Sequence, residues 1–230
     1  MRSRFSWLDW LLPPRCGSCR SLGAWLCDGC LARVRRLRDP LCPRCGRELE
    51  FAGSGCGCRR RLRWLARSTS AAAYEGPLET ALHRFKYEGW RALAPALADL
   101  VEDRLRDEAS AGQRPLVLSV PLHPRRLRAR GYNQSELLAA ELRRRVRLDA
   151  PSGRLVRVRD TPPQVGLDRP RRRANVAGAF GWRGPSPAGR PCVVVDDVAT
   201  TGATLEACAA ALRSAGSGPV VGLTVARVSV

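Results

Sequence analysis

The sequence predicts an α/β domain, a mostly parallel sheet with helices on both faces, preceded by a small cysteine-rich module. Three observations predict it. Eight of the ten cysteines fall between residues 16 and 58 in close pairs. Beyond residue 65, short apolar runs alternate with stretches of helical periodicity, as strands joined by crossover helices do. Near the end, PCVVVDDVATTGAT (Pro191–Thr204) sets two adjacent acids and a Thr/Gly turn directly after a strand-like apolar run. A chain of 230 residues has room for one medium domain and an appendage. The division is expected near residue 65: residues 1–65 form the cysteine module and 66–230 the α/β domain.

The opening MRSRFSWLDWLLPP starts basic, but Asp9 interrupts its apolar run and no small-residue cleavage site follows. It reads as a docking segment, with a signal anchor as the alternative. No apolar stretch approaches the roughly 18 residues of a membrane span, so the expectation is a cytoplasmic protein that is not integral to a membrane.

The cysteine pairs are Cys16/Cys19, Cys27/Cys30, Cys42/Cys45 and Cys56/Cys58. A two-residue gap lets consecutive thiolates grip one tetrahedral ion, the knuckle of a zinc ribbon, and CPRCG adds a glycine that lets backbone amides turn toward sulfur. Disulfides are the competing reading, and a reducing cytosol argues against them. One or two structural zinc ions are expected, CGC at 56–58 being one residue tighter than a standard knuckle. Neighbouring pairs sharing an ion would close the shorter loops; alternating pairs would interleave the two sites. Metal should supply most of the folding energy of so small a segment. Cys192 and Cys208 read as strand and helix core.

After residue 65, apolar positions recur at helical spacing from Pro77 to about Asp107 (Leu78, Leu82, Phe85; Leu93, Leu97, Leu100), with Gly89 dividing two helices. PLVLSVPL (115–122) is a buried strand, NQSELLAAELRRRV a capped helix and RLVRVR an alternating strand. Residues 160–175, arginine-rich and aperiodic, read as a mobile loop. NVAGAF and PCVVVDD are strands, TLEACAAALRSAG is a helix stopped by Gly216, and PVVGLTVARV is the last strand.

The formal charge is +19, and one lysine stands against 39 arginines. Two four-thiolate zinc sites would lower the sum to about +15, still basic enough to point to polyanions such as nucleic acid or phosphorylated small molecules.

The plain reading of VVVDDVATTGAT is a buried strand, a turn and an N-capped helix. The sharper reading places Asp196 and Asp197 at the carboxyl end of a parallel strand, where α/β sheets bind ligands. Gly202 permits close approach, and backbone amides with threonine hydroxyls at a helix N-terminus cradle a phosphate. Paired acids beside such a cradle need donors or a cation, which a ribose diol or Mg²⁺ supplies. There is no GxxxxGK[ST] and no GxGxxG.

This stretch resembles the phosphoribosyl-pyrophosphate (PRPP) signature of type I phosphoribosyltransferases. The whole chain resembles the ComF family of competence-associated proteins, which joins a double zinc ribbon to that domain. The resemblance runs through FKYEG (85–89), VPLHPRRLRARGYNQSE (120–136), DTPPQ (160–164) and RRRANVAGAF (171–180). It implies that Asp196 and Asp197, the catalytic pair, hold the ribose hydroxyls, and that Thr200, Thr201, Gly202, Ala203 and Thr204 hold the 5′-phosphate. It implies a pyrophosphate loop after LVLSVPL, with Pro121 and Leu122, and a lid at 160–175. It also implies a role in uptake or processing of DNA, with PRPP or ribose 5-phosphate, single-stranded DNA and the DNA-uptake machinery as partners.

Lys86, the lone lysine, marks a place where a compact ammonium suits better than a guanidinium fork, as beside pyrophosphate; chance retention is the alternative. In RRLRARGYNQ, Arg126, Arg130 and Tyr132 combine charge with an aromatic ring, as single-strand binders do, or else form a solvated face. His123 lies in the same loop. Gln164, Arg169, Arg173 and Asn175 are placed to close over ligand, Arg173 and Asn175 best because they adjoin a strand. Two functions remain open: a Mg²⁺-dependent transferase with unknown acceptor, or a nucleic-acid-binding factor that keeps the pocket as a phosphate sensor. The absence of an obvious nucleobase hood favours the second.

Overall fold

A computed structural model describes residues 13–54, 56–58, 62–161 and 168–228. Most of the expected docking segment and Gln164 lie outside the described residues. The first element is a single helical turn, α1 (Asp28–Leu31), in the cysteine module. Strand β1 (Leu65–Ala73) opens the α/β domain, followed by helix α2 (Gly76–Tyr87). A 3-10 turn (Arg91–Leu93) leads into α3 (Ala94–Asp99) and α4 (Glu102–Ser110). Then come β2 (Leu116–Ser119), α5 (Pro124–Arg130), α6 (Gln134–Val146) and β3 (Arg154–Arg157). The chain continues through α7 (Arg169–Val176), β4 (Phe180–Arg183), β5 (Cys192–Ala199), α8 (Ala203–Ser214) and β6 (Val220–Arg227).

Four strands form one sheet in the order β1-β6-β5-β2, and every pairing is parallel. Parallel neighbours need crossovers, and these put helices on both faces. The side-chain alternation of the strands divides the core accordingly. Val117, Val193 and Val195 face the layer holding Leu78, Phe85, Leu97 and Leu138. Leu118, Cys192 and Val194 face the layer holding Leu205, Cys208 and Leu212. Cys192 and Cys208 are both buried structural thiols. β3 and β4 form a separate antiparallel pair.

The cysteine module packs along the outer edge of β1. Ser68 N–H donates to the Arg44 carbonyl at 2.8 Å and Ala73 N–H to the Arg35 carbonyl at 2.9 Å. An exposed sheet edge is thereby closed. Gly46 makes the approach possible: it has φ +68°, and a Cβ there would lie 2.5 Å from the Ser68 carbonyl oxygen.

Three expectations are corrected. β1, with the sequence LARSTSAAA, is a strand where only the domain division near residue 65 is expected, since small and hydroxylated side chains carry little strand signal. The 160–175 segment contains α7, because Asp168 caps it by accepting from Arg171 N–H at 2.8 Å. A helix of successive arginines shows no apolar periodicity to read. NVAGAF is not a strand throughout: Val176 ends α7, Gly178 turns at φ +62°, and β4 begins at Phe180.

Candidate functional site

The eight cysteines of the module make two sets, Cys16/Cys19/Cys27/Cys30 and Cys42/Cys45/Cys56/Cys58, each with its four sulfurs within 4.8 Å of one another. All are free thiols. Sulfur separations of 3.1 Å (Cys42–Cys56) and 3.6 Å (Cys42–Cys58, Cys45–Cys56, Cys19–Cys27) are far beyond a disulfide bond of about 2.05 Å. They approach the edge of about 3.8 Å of a tetrahedron drawn at a Zn–S distance of about 2.3 Å. Each set therefore fits a zinc ion, neighbouring pairs share each site, and the tight CGC pair takes part. The cysteines would hold the ions as thiolates, and the metal supplies folding energy rather than chemistry.

The paired acids leave the carboxyl half of β5, between β2 and β6. Asp197 is 2% exposed, and its Oδ2 lies 2.8 Å from Lys86 Nζ, brought there by the last turn of α2. Burial works against the charge on Lys86, but Asp197 and then Asp196 overcome it and hold the ammonium well above its ordinary range. The lone lysine thus sits against the acids. Asp196 Oδ1 accepts from Ser135 Oγ at 2.8 Å and from Asp197 N–H at 3.0 Å. Burial first, then the charge of Asp197, push the Asp196 carboxyl up to about 7, against Lys86 and Ser135. Near neutral pH this carboxyl is poised to donate as well as accept. Ser135 was missed by the sequence reading, although it stands in the GYNQSE motif; only the fold reveals that α6 aims it at β5.

After Ala199 the chain turns through Thr200 and Thr201 to Gly202, which adopts φ +80° and ψ 2° as the residue before α8. Thr201 Oγ1 accepts from Ala203 N–H at 3.3 Å. The helix N-terminus adds the partial positive charge of its free amides. A pocket here is lined by Thr200, Thr201 and Ala203, with Arg173 from α7 and Arg227 from β6. Arg227 is only 6% exposed; it donates to the Cys45 carbonyl and, at 3.5 Å, to the Thr200 carbonyl, while its Nε has no partner. Burial pulls its pKa down. A charged residue in the otherwise apolar PVVGLTVARV was the available signal for it. The loop, the acids, Lys86 and Arg173 thus gather at one end of the sheet.

The remaining candidates are less uniform. Pro121 and Leu122 follow β2 and line a separate groove, with Arg157, Val158 and Arg183, of about 700 Å³. His123 caps α5 through Nδ1, 3.4 Å from Arg125 N, and lies 3.5 Å from Asp160. The Asn175 carbonyl accepts from Arg159 at 3.2 Å. Arg126 donates to the Thr161 carbonyl at 2.5 Å and Arg130 to Gln134 Oε1 at 2.6 Å. Tyr132 is a correction: its ring is 7% exposed, its hydroxyl donates to the Phe85 carbonyl, and Arg91 covers a face at 4.6 Å. It is a packing residue with no face offered to a base. The exposed ring nearby is Tyr87, 58% exposed, with Arg130 5.2 Å from its centroid. Among the described residues no helix is long and apolar enough to cross a membrane.

Residues 7–62 match the family model described as the double zinc ribbon domain. The chain is 35% identical over 217 residues to the DNA utilization protein YhgH of Escherichia coli K12, covering 91% of this chain and 95% of that one. It is 32% identical over 198 residues to competence protein F of Haemophilus influenzae, covering 83% and 85%. Competence protein ComFC of Bacillus subtilis is 26% identical over 198 residues, covering 83% and 79%.

Proposed function

This chain belongs to the ComF/YhgH family, with an N-terminal double zinc ribbon, and from that premise we propose that it binds a ribose 5-phosphate group, as in PRPP, and acts with single-stranded DNA in DNA uptake or use. One observation carries the ligand: an acid pair, half-buried Asp196 and buried Asp197, and a Thr/Gly loop at a helix N-terminus meet at the carboxyl end of the central strands. The loop amides and hydroxyls take the phosphate, and Asp196 and Asp197 take the ribose diol. Lys86 balances the charge of buried Asp197 beside Asp196. Carboxylate oxygens are donors Mg²⁺ accepts, so Asp196 and Asp197 are also the residues that would hold it; with a bound diphosphate the ion supplies charge neutralisation.

The net charge of +19 and the names of the relatives support a DNA partner. Arg126 and Arg130 lie on the same helix, α5, and Tyr87 replaces Tyr132 as the stacking ring. The second reading, an active Mg²⁺-dependent transferase, is favoured by the groove between Leu122 and Arg183, whose size suits an acceptor.

Complementation tests the proposal. In a naturally transformable host lacking its own relative, the wild-type chain should restore transformation and Asp197→Asn and Thr201→Val should not, at equal protein levels. Restoration by both variants would refute a functional role for the site. Pyrophosphate release from PRPP by purified protein would select the transferase reading.

A further inference from the structure

The second zinc ribbon is linked to the phosphate loop in two ways, through Arg227 and through Leu62. Cys45 offers its carbonyl to Arg227, and the same guanidinium reaches the Thr200 carbonyl at 3.5 Å. Cys58 accepts from Leu62 N–H at 2.9 Å, and Leu62 lies against the loop, its Cδ2 3.5 Å from where a Cβ on Gly202 would stand. Leu62 is in turn held by Arg44, which donates to its carbonyl at 3.0 Å. Glu206, in the first turn of α8, accepts from the backbone N–H groups of Arg63, Trp64 and Leu65 at 2.6, 2.8 and 2.9 Å. The chain leaving the last cysteine pair is thereby fastened to the helix whose N-terminus faces the phosphate.

The ribbon also brings a charge. Arg47 directly follows the Cys42–Gly46 knuckle, and its carbonyl accepts from Cys42 N–H at 2.7 Å, so the fold of the knuckle fixes its position. Its side chain lines the same pocket as Thr200, Thr201, Arg173 and Arg227, and it forms no ion pair among the described residues. An α/β domain alone would supply two guanidinium groups and a helix terminus; the ribbon supplies a third guanidinium and a wall.

We infer that the second zinc ribbon is part of the anion site: Arg47 binds the phosphomonoester together with Arg173, Arg227 and the Thr200–Thr204 loop, and the Cys42/Cys45/Cys56/Cys58 metal site keeps Arg47 and Leu62 in place. This rests on the reading of the loop as a phosphate cradle. Its consequence is that phosphate affinity follows zinc occupancy of the second ribbon, although the metal touches no ligand.

The test is calorimetric titration of ribose 5-phosphate into the zinc-loaded full chain, with zinc content measured on the same samples. Arg47→Ala should weaken binding at least about tenfold, the loss of a hydrogen bond to a charged group, while retaining two zinc ions. Arg47→Lys should recover part of the loss, and Arg106→Ala, on the distant α4, should change nothing. Cys56→Ser should lose one zinc equivalent and with it measurable binding. Wild-type affinity in Arg47→Ala, or in Cys56→Ser lacking that zinc, would overturn the inference while leaving the loop reading intact. Absence of binding by the wild type would overturn both.

Discussion

Replacing Lys86 by methionine removes the cation and keeps the length of the side chain. Asp197 is 2% exposed, and Lys86 Nζ at 2.8 Å is the countercharge to its Oδ2. Truncating one partner of a buried pair costs about 3–5 kcal/mol, because the remaining charge is stranded away from water. For a chain of this size each kcal/mol moves the melting temperature by about 2–4 °C, so Lys86→Met should melt roughly 6–20 °C below wild type. Urea unfolding followed by far-UV circular dichroism, with zinc in excess, gives the free energy directly. The double variant Lys86→Met/Asp197→Asn should recover most of the loss, since it strands no charge. A single variant as stable as wild type, or a double variant no better than the single one, would refute the claim that Lys86 neutralises a buried acid.

Burial and the charge of Asp197 push the Asp196 carboxyl up to about 7 in the folded chain against about 3.9 unfolded, so its contribution is full below pH 4 and is lost as pH rises through 7. Asp196→Asn removes that loss, so its gain on wild type should grow from about 1.5 kcal/mol at pH 5 to about 4 kcal/mol at pH 8 in parallel denaturant titrations. Tyr87→Ala should weaken single-stranded DNA binding by about 1–3 kcal/mol in fluorescence anisotropy. Tyr132→Phe should leave that binding unchanged and cost only about 1 kcal/mol of stability, the hydrogen bond to Phe85. Gly46→Ala places a Cβ against the Ser68 carbonyl and should cost about 1–3 kcal/mol in thermal denaturation.

What was legible in the sequence followed from chemistry carried on contiguous residues. The cysteine pairs, the apolar run before Asp196 and the Thr/Gly turn each state their role within a dozen positions. β1 was illegible because its buried positions are mostly alanine and serine, small side chains that enter the core or pair with β6 without giving a strand-like apolar pattern. α7 was illegible because its arginines carry no apolar stripe. Tyr132 was misjudged for a different reason: an aromatic among arginines looks like a binding surface, and burial under Arg91 and Phe85 is a property of the fold. Ser135, Arg227 and Arg47 reach the site from α6, β6 and the second ribbon, 61, 31 and 149 positions from Asp196 in the chain; only the sheet order and the packing of the ribbon on β1 bring them together.

The location of bound ribose 5-phosphate tests the central claim most directly. A crystal structure of the zinc-loaded chain with this ligand should show phosphate oxygens at hydrogen-bond distance from the backbone amides and hydroxyls of Thr200–Thr204, and ribose hydroxyls on Asp196 and Asp197. A ligand bound elsewhere, or none at millimolar concentration, would contradict the account.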